Sequence, residues 1–167
     1  MGTRAHKARG PKTVRLAVLS ISTTRSLADD ESGHWIAKRA GKFGHTVVDH
    51  QVITDDVAAI RAGLIATLGK APQAVLITGG TGISPRDVTI EAVEPLFVKT
   101  LPAFGVLFAQ LSFEEIDSAA IMSRAAAGVI GHSAVFCLPG SLKACKLACN
   151  QLIFPELGHI VAHLVEA

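Results

Sequence analysis

Short apolar runs alternate with amphipathic stretches and polar turns along most of this chain. Runs rich in β-branched and aliphatic residues predict four strands, at 14–20, 46–53, 74–78 and 134–138. Apolar residues at helical spacing predict helices at 35–43, 57–68, 88–98, 102–111, 142–153 and beyond Pro155. Residues 21–33 are polar and residues 112–132 are mixed, so neither stretch predicts a defined element.

The alternation of strands and helices is typical of a parallel sheet that helices cover on both faces. We predict a three-layer α/β/α domain with a mostly parallel sheet over residues 13–167, without repeats or linkers. Residues 1–12 are polar and carry several basic side chains, so we expect them to form an extended or disordered tail outside the domain.

Composition narrows the class of protein. Apolar residues make up 49% of the 167 residues and charged residues 18%, which excludes a disordered chain. The net charge of only +2 argues against nucleic-acid binding and means that any anion site must be local. No apolar stretch reaches the roughly 20 residues of a membrane span, and the first residues lack the pattern of a secretory signal. With three cysteines, at 137, 145 and 149, we expect reduced thiols and a cytoplasmic location.

Four turns leave the carboxyl ends of predicted strands, where open α/β sheets bind their ligands. They carry Ser20, Asp55 with Asp56, the TGGTG segment at 78–82, and residues 139–141. The glycines of TGGTG allow a close approach of the backbone to a ligand, and successive N–H groups of such a turn attract an anion. The segment is neither a P-loop nor a GxGxxG fingerprint, and the alternative is a tight turn without a ligand.

The segment Pro139-Gly140-Ser141, with Lys143 close behind, forms a second candidate anion site at a predicted helix start. The N–H groups of a helix N-terminus favour a phosphate, and Lys143 adds positive charge. The alternative, which these residues favour when taken alone, is that Ser141 only caps the helix.

Three carboxylates, those of Asp55, Asp56 and Asp87, lie at predicted helix starts, where an aspartate is commonly an N-cap. A phosphate site offers another role, because Mg²⁺ binds one or two carboxylates together with phosphate oxygens and water. Arg86 is either a phosphate clamp or a surface charge. Two i, i+4 pairs also suit a metal ion, although neither has an evident second pair for zinc: Cys145/Cys149 and His159/His163.

Four segments together resemble a known family. They read TGGTGISPRDVTIEA at 78–92, FxxLSFEEI at 108–116, SRAAAG at 123–128 and LPGSLKACK at 138–146. In this order they are similar to the MoaB/MogA family of molybdenum cofactor biosynthesis, which is related to the G domain of gephyrin. FEEI and PGSxKA look more like the MoaB branch, and the resemblance covers nearly everything from about residue 14 onward.

The resemblance implies a three-layer α/β fold and self-assembly into trimers, or hexamers in some MoaB proteins. It also implies adenylyl transfer, in which the terminal phosphate of molybdopterin attacks the α-phosphate of Mg-ATP. The products would be adenylylated molybdopterin and pyrophosphate. An enzyme that inserts the metal would then be a downstream partner.

Matched position by position, the two important aspartates of the family fall on Asp55, in an IxDD context, and on Asp87 of RDVT. The resemblance implies that both position Mg²⁺ and the phosphates of ATP. It assigns the nucleotide and phosphate contacts to the TGGTG residues Thr78, Gly79, Gly80, Thr81 and Gly82. It assigns the contacts with pterin or phosphate to Ser123, Gly140, Ser141 and Lys143.

One departure from the family concerns the first strand, which in many members ends in a Ser-Asp pair but here continues from Ser20 as SIST. We still expect Ser20 to contact substrate, without the aspartate's contribution. Some relatives lack the acid at the RDVT position and are catalytically silent, whereas this chain has Asp87. Two alternatives stay open: a non-catalytic pterin-binding or oligomerising protein, and a nucleotide-binding α/β protein that acts on another substrate.

Overall fold

A six-stranded sheet forms the centre of the protein, in a computed structural model that describes residues 10–165. Its strands are β1 (Arg15–Ile21), β2 (Thr46–Ile53), β3 (Ala74–Thr78), β4 (Lys99–Thr100), β5 (Ala126–Ile130) and β6 (Ser133–Leu138). Their spatial order is β2-β1-β3-β6-β5-β4. The first four strands in this order are parallel, whereas β5 pairs antiparallel with both β6 and β4.

Helices cover both faces of this sheet, which confirms the predicted three-layer α/β/α fold. They are α1 (Glu31–Lys42), α2 (Val57–Leu68), α3 (Thr89–Val93), α4 (Pro102–Ile116), α5 (Leu142–Ala148) and α6 (Phe154–Val165). A π-helical turn at 149–153 joins α5 to α6, and 3-10 turns lie at 27–29, 94–96 and 117–122. Within residues 10–165, no helix combines the length and the apolar character needed to cross a membrane.

Two hydrophobic cores hold the layers together, because alternate residues of each central strand point to opposite faces. On one face, Leu16 and Val18 of β1 pack with Ile36 of α1 and with α4, α5 and α6. On the other face, Leu19 of β1 packs with Ile60 of α2 and with α3. Since helices cover both faces, the central strands are near-continuous apolar runs, which is why the sequence reveals them.

The antiparallel side of the sheet differs from the prediction. β5 lies in the segment that we describe as mixed, and β4 comes directly after the predicted helix 88–98. β5 is short and begins with two alanines, which have little strand propensity, so its pairing with β6 determines its conformation. Gly131, with a φ of +58°, lies in the two-residue connection of this hairpin.

Two helices differ from the prediction for local reasons. α1 begins at Glu31 instead of residue 35, because the carboxylate of Asp30 accepts a hydrogen bond from the N–H of Gly33 and caps the helix. The expected helix over 88–98 ends at Val93, and Pro95 lies in the 3-10 turn that follows it.

The helical C-terminal region is also more continuous than predicted. α4 extends to Ile116, beyond the expected end at residue 111. The π-helical turn joins α5 and α6, so the chain stays helical through the predicted break near Pro155. Pro155 is the second residue of α6 and lies two residues after the π-helical turn.

The first described residues lie against α6. We predict that residues 1–12 lie outside the domain, and residues 1–9 fall outside the described part of the chain. Gly10 and Pro11, however, contact α6 at Gly158. A Cβ on Gly10 would overlap the carbonyl oxygen of Gly158, and a Cβ on Gly158 would lie 2.7 Å from the carbonyl oxygen of Pro11. Residues 10 and 11 are therefore part of the packed domain.

We expect Gly158→Ala to lower the free energy of unfolding by about 1–2 kcal/mol, because the added methyl group overlaps the carbonyl of Pro11. Gly41→Ala is the matched control in α1, since no atom lies within 4 Å of a Cβ at that position. The control should gain about 0.5–1 kcal/mol from helix propensity. Urea unfolding measures the free energy of unfolding of both variants. If Gly158→Ala gains as much stability as Gly41→Ala, residues 10 and 11 move aside without cost.

Candidate functional site

A cavity of about 460 Å³ opens at the carboxyl edge of the sheet, where β1, β3 and β6 end side by side. Its lining comes from the segments that follow β1, β2, β3 and β6, together with residues 122–124. The chain leaves β1 for β2 on one side, and β3 lies on the other side, so the cavity lies at a topological switch point. Its volume falls in the roughly 300–1,000 Å³ range of small-molecule sites.

The glycine-rich turn after β3 forms the floor of this cavity. Gly79 and Gly80 have φ values of +98° and +64°, in the left-handed region that favours glycine. A Cβ on Gly79 would overlap the carbonyl oxygen of Ile21 at the end of β1. Thr89 fixes the turn from the other side, because its hydroxyl donates to the carbonyl of Gly79 (2.8 Å) and its N–H to the carbonyl of Gly80 (2.9 Å).

Three successive backbone N–H groups of this turn remain available to a ligand. Within residues 10–165, the N–H groups of Gly80, Thr81 and Gly82 have no hydrogen-bond partner. All three residues line the cavity. Unpaired N–H groups in succession form a concave anion site without a charged side chain.

Two carboxylates meet the same turn. Asp55, which follows β2, has Oδ1 at 3.2 Å from the position that a Cβ on Gly80 would take. Asp87 has Oδ2 at 2.7 Å from the corresponding position on Gly82. Both aspartates are half-buried and line the cavity, so the fold brings the two acids to one glycine turn.

Helix capping explains one of the three aspartates singled out in the sequence. Asp56 caps α2, and its carboxylate accepts a hydrogen bond from the N–H of Ala59 (2.8 Å). Asp55 instead accepts a hydrogen bond from the hydroxyl of Thr23 (2.8 Å). Asp87 lies two residues before the start of α3, and its carboxylate accepts a hydrogen bond from the N–H of Ser84 (2.9 Å). The capping alternative therefore does not account for Asp55 or Asp87.

Two arginines lie exposed at the rim of the cavity. The sequence makes Arg86 a candidate phosphate contact, whereas residues 21–33 contain no motif that points to Arg25 or Thr23, which also line the cavity. Neither guanidinium makes a hydrogen bond or ion pair with any other side chain of residues 10–165. Both are therefore available to an anion in the cavity.

Arg124 is a further residue that the sequence analysis missed, although it belongs to the SRAAAG segment. Its Nε donates to the carbonyl oxygens of Thr81 (2.9 Å) and Gly82 (3.1 Å). Its terminal amino groups form a bidentate pair with Glu91 of α3, at 2.6 and 3.2 Å. These hydrogen bonds lower the pKa of Glu91 and raise that of Arg124. Arg124 thus holds the glycine-rich turn from its carbonyl side, which directs the N–H groups toward the cavity.

The segment after β6 divides between two neighbouring depressions. Gly140 lines the main cavity, while Ser141 and Lys143 line a smaller depression beside it. Ser123 lines both. The hydroxyl of Ser141 caps α5 by accepting from the N–H of Ala144 (3.2 Å), and Lys143 forms an ion pair with Glu115 (3.0 Å).

Two of the expected contact residues lie beneath the cavity and do not line it. Ser20 is buried, and its hydroxyl donates to Oδ2 of Asp30 (2.5 Å). Thr78 is also buried, and its hydroxyl donates to the carbonyl oxygen of Pro139 (3.0 Å). Residue 20 precedes the end of β1 and residue 78 is the last of β3, so both side chains support the turns without reaching the opening.

A buried carboxylate, Asp30, organises the start of α1. It accepts hydrogen bonds from Ser20, from the N–H of Gly33 (3.0 Å) and from Nε2 of His50 (2.7 Å). Burial alone raises the pKa of Asp30, but these hydrogen bonds outweigh it and hold the pKa below its usual value. Ser32, two residues on, donates to the carbonyl of Gly140 (3.0 Å), which links α1 to the cavity.

The cysteine and histidine pairs do not form a metal site within residues 10–165, where no group of three or more suitable side chains comes together. Cys145 and Cys149 lie in the hydrophobic core, and burial raises the pKa of both thiols. His159 and His163 bring their Nε2 atoms within 3.0 Å on α6.

Comparison with known proteins gives consistent matches. The family described as a probable molybdopterin binding domain matches residues 17–159, a span that includes every residue lining the cavity. Molybdenum cofactor biosynthesis protein B of Bacillus subtilis is 46% identical over 166 residues, 98% of each chain.

Solved structures agree with these sequence matches. A crystal structure of molybdenum cofactor biosynthesis protein B has a TM-score of 0.90 and 44% identity, covering 93% of this chain and 98% of its own. The tungsten cofactor synthesizing protein MoaB of Pyrococcus furiosus has a TM-score of 0.84 and 36% identity, covering 92% and 98%.

The depressed pKa of Asp30 gives a pH dependence of stability. Its contribution is complete above the unfolded-state pKa of about 4 and is lost as the pH falls through the lower folded-state pKa. We expect Asp30→Asn to be about 1–3 kcal/mol less stable at pH 7 and to lose less stability than the wild type between pH 5 and pH 2. Urea unfolding across this range measures both effects. A stability of Asp30→Asn that falls with pH as steeply as that of the wild type would contradict the assignment.

Proposed function

Because this chain belongs to the MoaB family of molybdenum cofactor biosynthesis proteins, we propose that it transfers the adenylyl group of ATP to the terminal phosphate of molybdopterin. A role in molybdenum cofactor biosynthesis follows from the family. Our proposal goes beyond this role in one respect, because it assigns adenylyl transfer to the cavity, with ATP and molybdopterin as the two substrates.

One observation carries the proposal. The carboxylates of Asp55 and Asp87 meet a turn whose N–H groups at 80–82 have no partner among the described residues. The unpaired N–H groups favour phosphate oxygens, whereas two bare carboxylates disfavour them. A site built from both is suited to a phosphate chain that arrives with a divalent cation.

The two carboxylates fit Mg²⁺ as the cation that accompanies ATP. Mg²⁺ commonly keeps several waters and takes only one or two protein carboxylates beside phosphate oxygens. Asp55 and Asp87 would hold the ion, and when bound it would neutralise charge on the phosphates.

In the proposed reaction, an oxygen of the molybdopterin phosphate forms a bond to the α-phosphorus of ATP. The bond from that phosphorus to the oxygen that bridges to the β-phosphate breaks, and pyrophosphate leaves with the bonding electrons. No covalent intermediate with the protein is needed, so the chain's task is to position the two phosphates and balance their charge. The N–H groups at 80–82 bind phosphate oxygens, and the arginines at the rim, Arg25 and Arg86, add positive charge.

The smaller depression beside the cavity supports a second substrate. It shares Ser123 and Pro139 with the main cavity, so a ligand in one can reach a ligand in the other. We assign the pterin to this side, with Ser123, Gly140, Ser141 and Lys143 as its contacts. Lys143 would exchange its exposed ion pair with Glu115 for a ligand phosphate, which costs little because exposed ion pairs are weak.

We also expect the chain to associate with itself, as the trimers and hexamers implied by the resemblance require. Several large apolar side chains on α4 and the following turn are exposed, which supports an interface there: Val106, Phe113, Ile121 and Met122. Sedimentation equilibrium gives the stoichiometry. A downstream enzyme that inserts the metal is the expected recipient of the product.

Pyrophosphate release tests the proposed reaction. The purified chain is mixed with molybdopterin, Mg²⁺ and ATP, and folding is checked by circular dichroism. Pyrophosphate that appears only when all three are present supports adenylyl transfer. If a folded preparation releases none, calorimetry with each ligand separately decides the alternative, since a non-catalytic carrier binds the pterin and ignores the nucleotide.

The adjacent aspartates provide a matched pair of variants. We expect Asp55→Ala to lower turnover by roughly 10²-fold or more with little loss of stability, because it removes a charge that faces the phosphates. Asp56→Ala should show the opposite, with turnover near wild type and about 1 kcal/mol less stability, because it removes the cap of α2. Steady-state kinetics and urea unfolding measure the two effects. Similar kinetics for both variants would place Asp55 outside the reaction.

Asp87→Asn tests the second carboxylate while preserving its shape. We expect the variant to bind molybdopterin with near wild-type affinity and to lose turnover, because the pterin is assigned to the neighbouring depression. Calorimetry and pyrophosphate release give the two readouts. Loss of folding instead would assign Asp87 to the structure of the loop through its contact with Ser84.

A further inference from the structure

A second concave surface lies between α1 and α5, outside the residues that line the catalytic cavity. We name it the α1–α5 groove, and it has a volume of about 350 Å³. Its lining residues are Trp35, Lys38, Arg39 and Lys42 of α1, Lys146 of α5, and Asn150 of the π-helical turn. Four of these six side chains are cationic and none is acidic.

The cations of this groove lack acidic partners. Within residues 10–165, none of Lys38, Arg39, Lys42 and Lys146 forms an ion pair, whereas Lys70, Lys143 and Arg124 elsewhere each do. The lining of the groove therefore carries a local excess of positive charge.

The polar groups of the groove are arranged by contacts within it. Nε of Arg39 donates to Oδ1 of Asn150 (2.8 Å), a bond that joins α1 to the π-helical turn. This contact leaves the two terminal amino groups of Arg39, and the amide N–H₂ of Asn150, without a hydrogen-bond acceptor in residues 10–165, while the guanidinium of Arg39 lies 5.0 Å from the centre of the Phe43 ring. Nζ of Lys146 lies 5.9 Å from the centre of the Trp35 ring, which forms an apolar wall.

Helix electrostatics explains only part of this arrangement. Arg39 and Lys42 lie in the last turn of α1, where cations interact favourably with the helix dipole. Lys146 and Asn150 belong to a different part of the chain and still converge on the same groove. An anion bound in the groove would contact cations from both segments.

We propose that the α1–α5 groove binds a small molecule that carries a chain of phosphate groups. Lysine ammonium groups and the guanidinium fork of Arg39 suit phosphate oxygens, and Asn150 adds a neutral donor. The groove is concave and within the size range of small-ligand sites, which favours a compact oligophosphate over a protein segment. The proposal is independent of the reaction assigned to the catalytic cavity.

Trp35 makes the groove directly observable, because it is the only tryptophan of the chain. The full chain is titrated with tripolyphosphate at constant ionic strength while tryptophan emission is recorded. An anion in the groove draws Lys146 away from the indole ring, so we expect a saturable change in emission. The double variant Lys38→Gln/Lys42→Gln should weaken the apparent affinity about tenfold or more, since it removes two charge-assisted contacts. Circular dichroism verifies that the variant is folded.

Arg86→Gln provides the matched control, because it removes a cation from the rim of the catalytic cavity and leaves the groove unchanged. The Trp35 titration of this variant should match that of the wild type. An equal loss of affinity in Arg86→Gln would place the bound phosphate in the catalytic cavity and overturn the proposal. The proposal would also be overturned if tripolyphosphate caused no change in tryptophan emission. If poly-glutamate changed the emission and tripolyphosphate did not, the groove would be assigned to an acidic protein segment.

Discussion

Close backbone packing at Gly79 is the constraint on which the rest of the site depends. Its N–H donates to the carbonyl of Leu138 at the end of β6 (3.0 Å), and the carbonyl of Ile21 at the end of β1 leaves no room for a Cβ. Gly140 approaches from β6, so that a Cβ there would lie 3.1 Å from the Cα of Gly79. The ends of three parallel strands therefore meet at one glycine. With its carbonyls held by Thr89 and Arg124, this turn presents its free N–H groups to the opening.

The site balances opposite demands on charge. Its floor is made of neutral N–H dipoles, its walls carry Asp55 and Asp87, and its rim carries Arg25 and Arg86. A phosphate alone gains from the floor and the rim and is repelled by the walls, which is why a metal-bound phosphate chain suits the cavity best. The α1–α5 groove differs in kind, because it combines cations and neutral donors without any acid. If both proposals hold, the two surfaces select different ionic forms of phosphate ligands.

The sequence alone supports much of this description. The strands at 46–53 and 74–78 have the predicted bounds. The second is central and buried between two helical layers, so it is apolar or β-branched along its length. The first is an edge strand, and its β-branched and apolar residues at both ends reveal it although its middle is polar. The TGGTG segment could be singled out because a glycine-rich turn after a buried strand is a local pattern, and the resemblance to the family then pointed to Asp55 and Asp87 among the three aspartates. Arg124 and Thr23 could not, since an arginine or threonine in an irregular segment shows no pattern until its partners are known. The prediction for Ser20 was wrong in the opposite sense. Its place near a strand end predicts a contact with substrate, but its hydroxyl donates a hydrogen bond to the buried Asp30.

The sequence by itself determined the helical and strand layers and the family, and it made Asp55 and Asp87 candidates, because periodicity and short motifs are local properties of a chain. Only the tertiary structure decided that β5 turns back antiparallel, that Asp56 caps a helix while Asp55 faces a cavity, and that Lys146 joins the cations of α1. Each of these depends on contacts between residues far apart in sequence. Where local propensity is weak, as in β5, the energy of strand pairing decides the conformation. Packing of distant segments likewise places Lys146 beside the cations of α1, although no sequence spacing relates them.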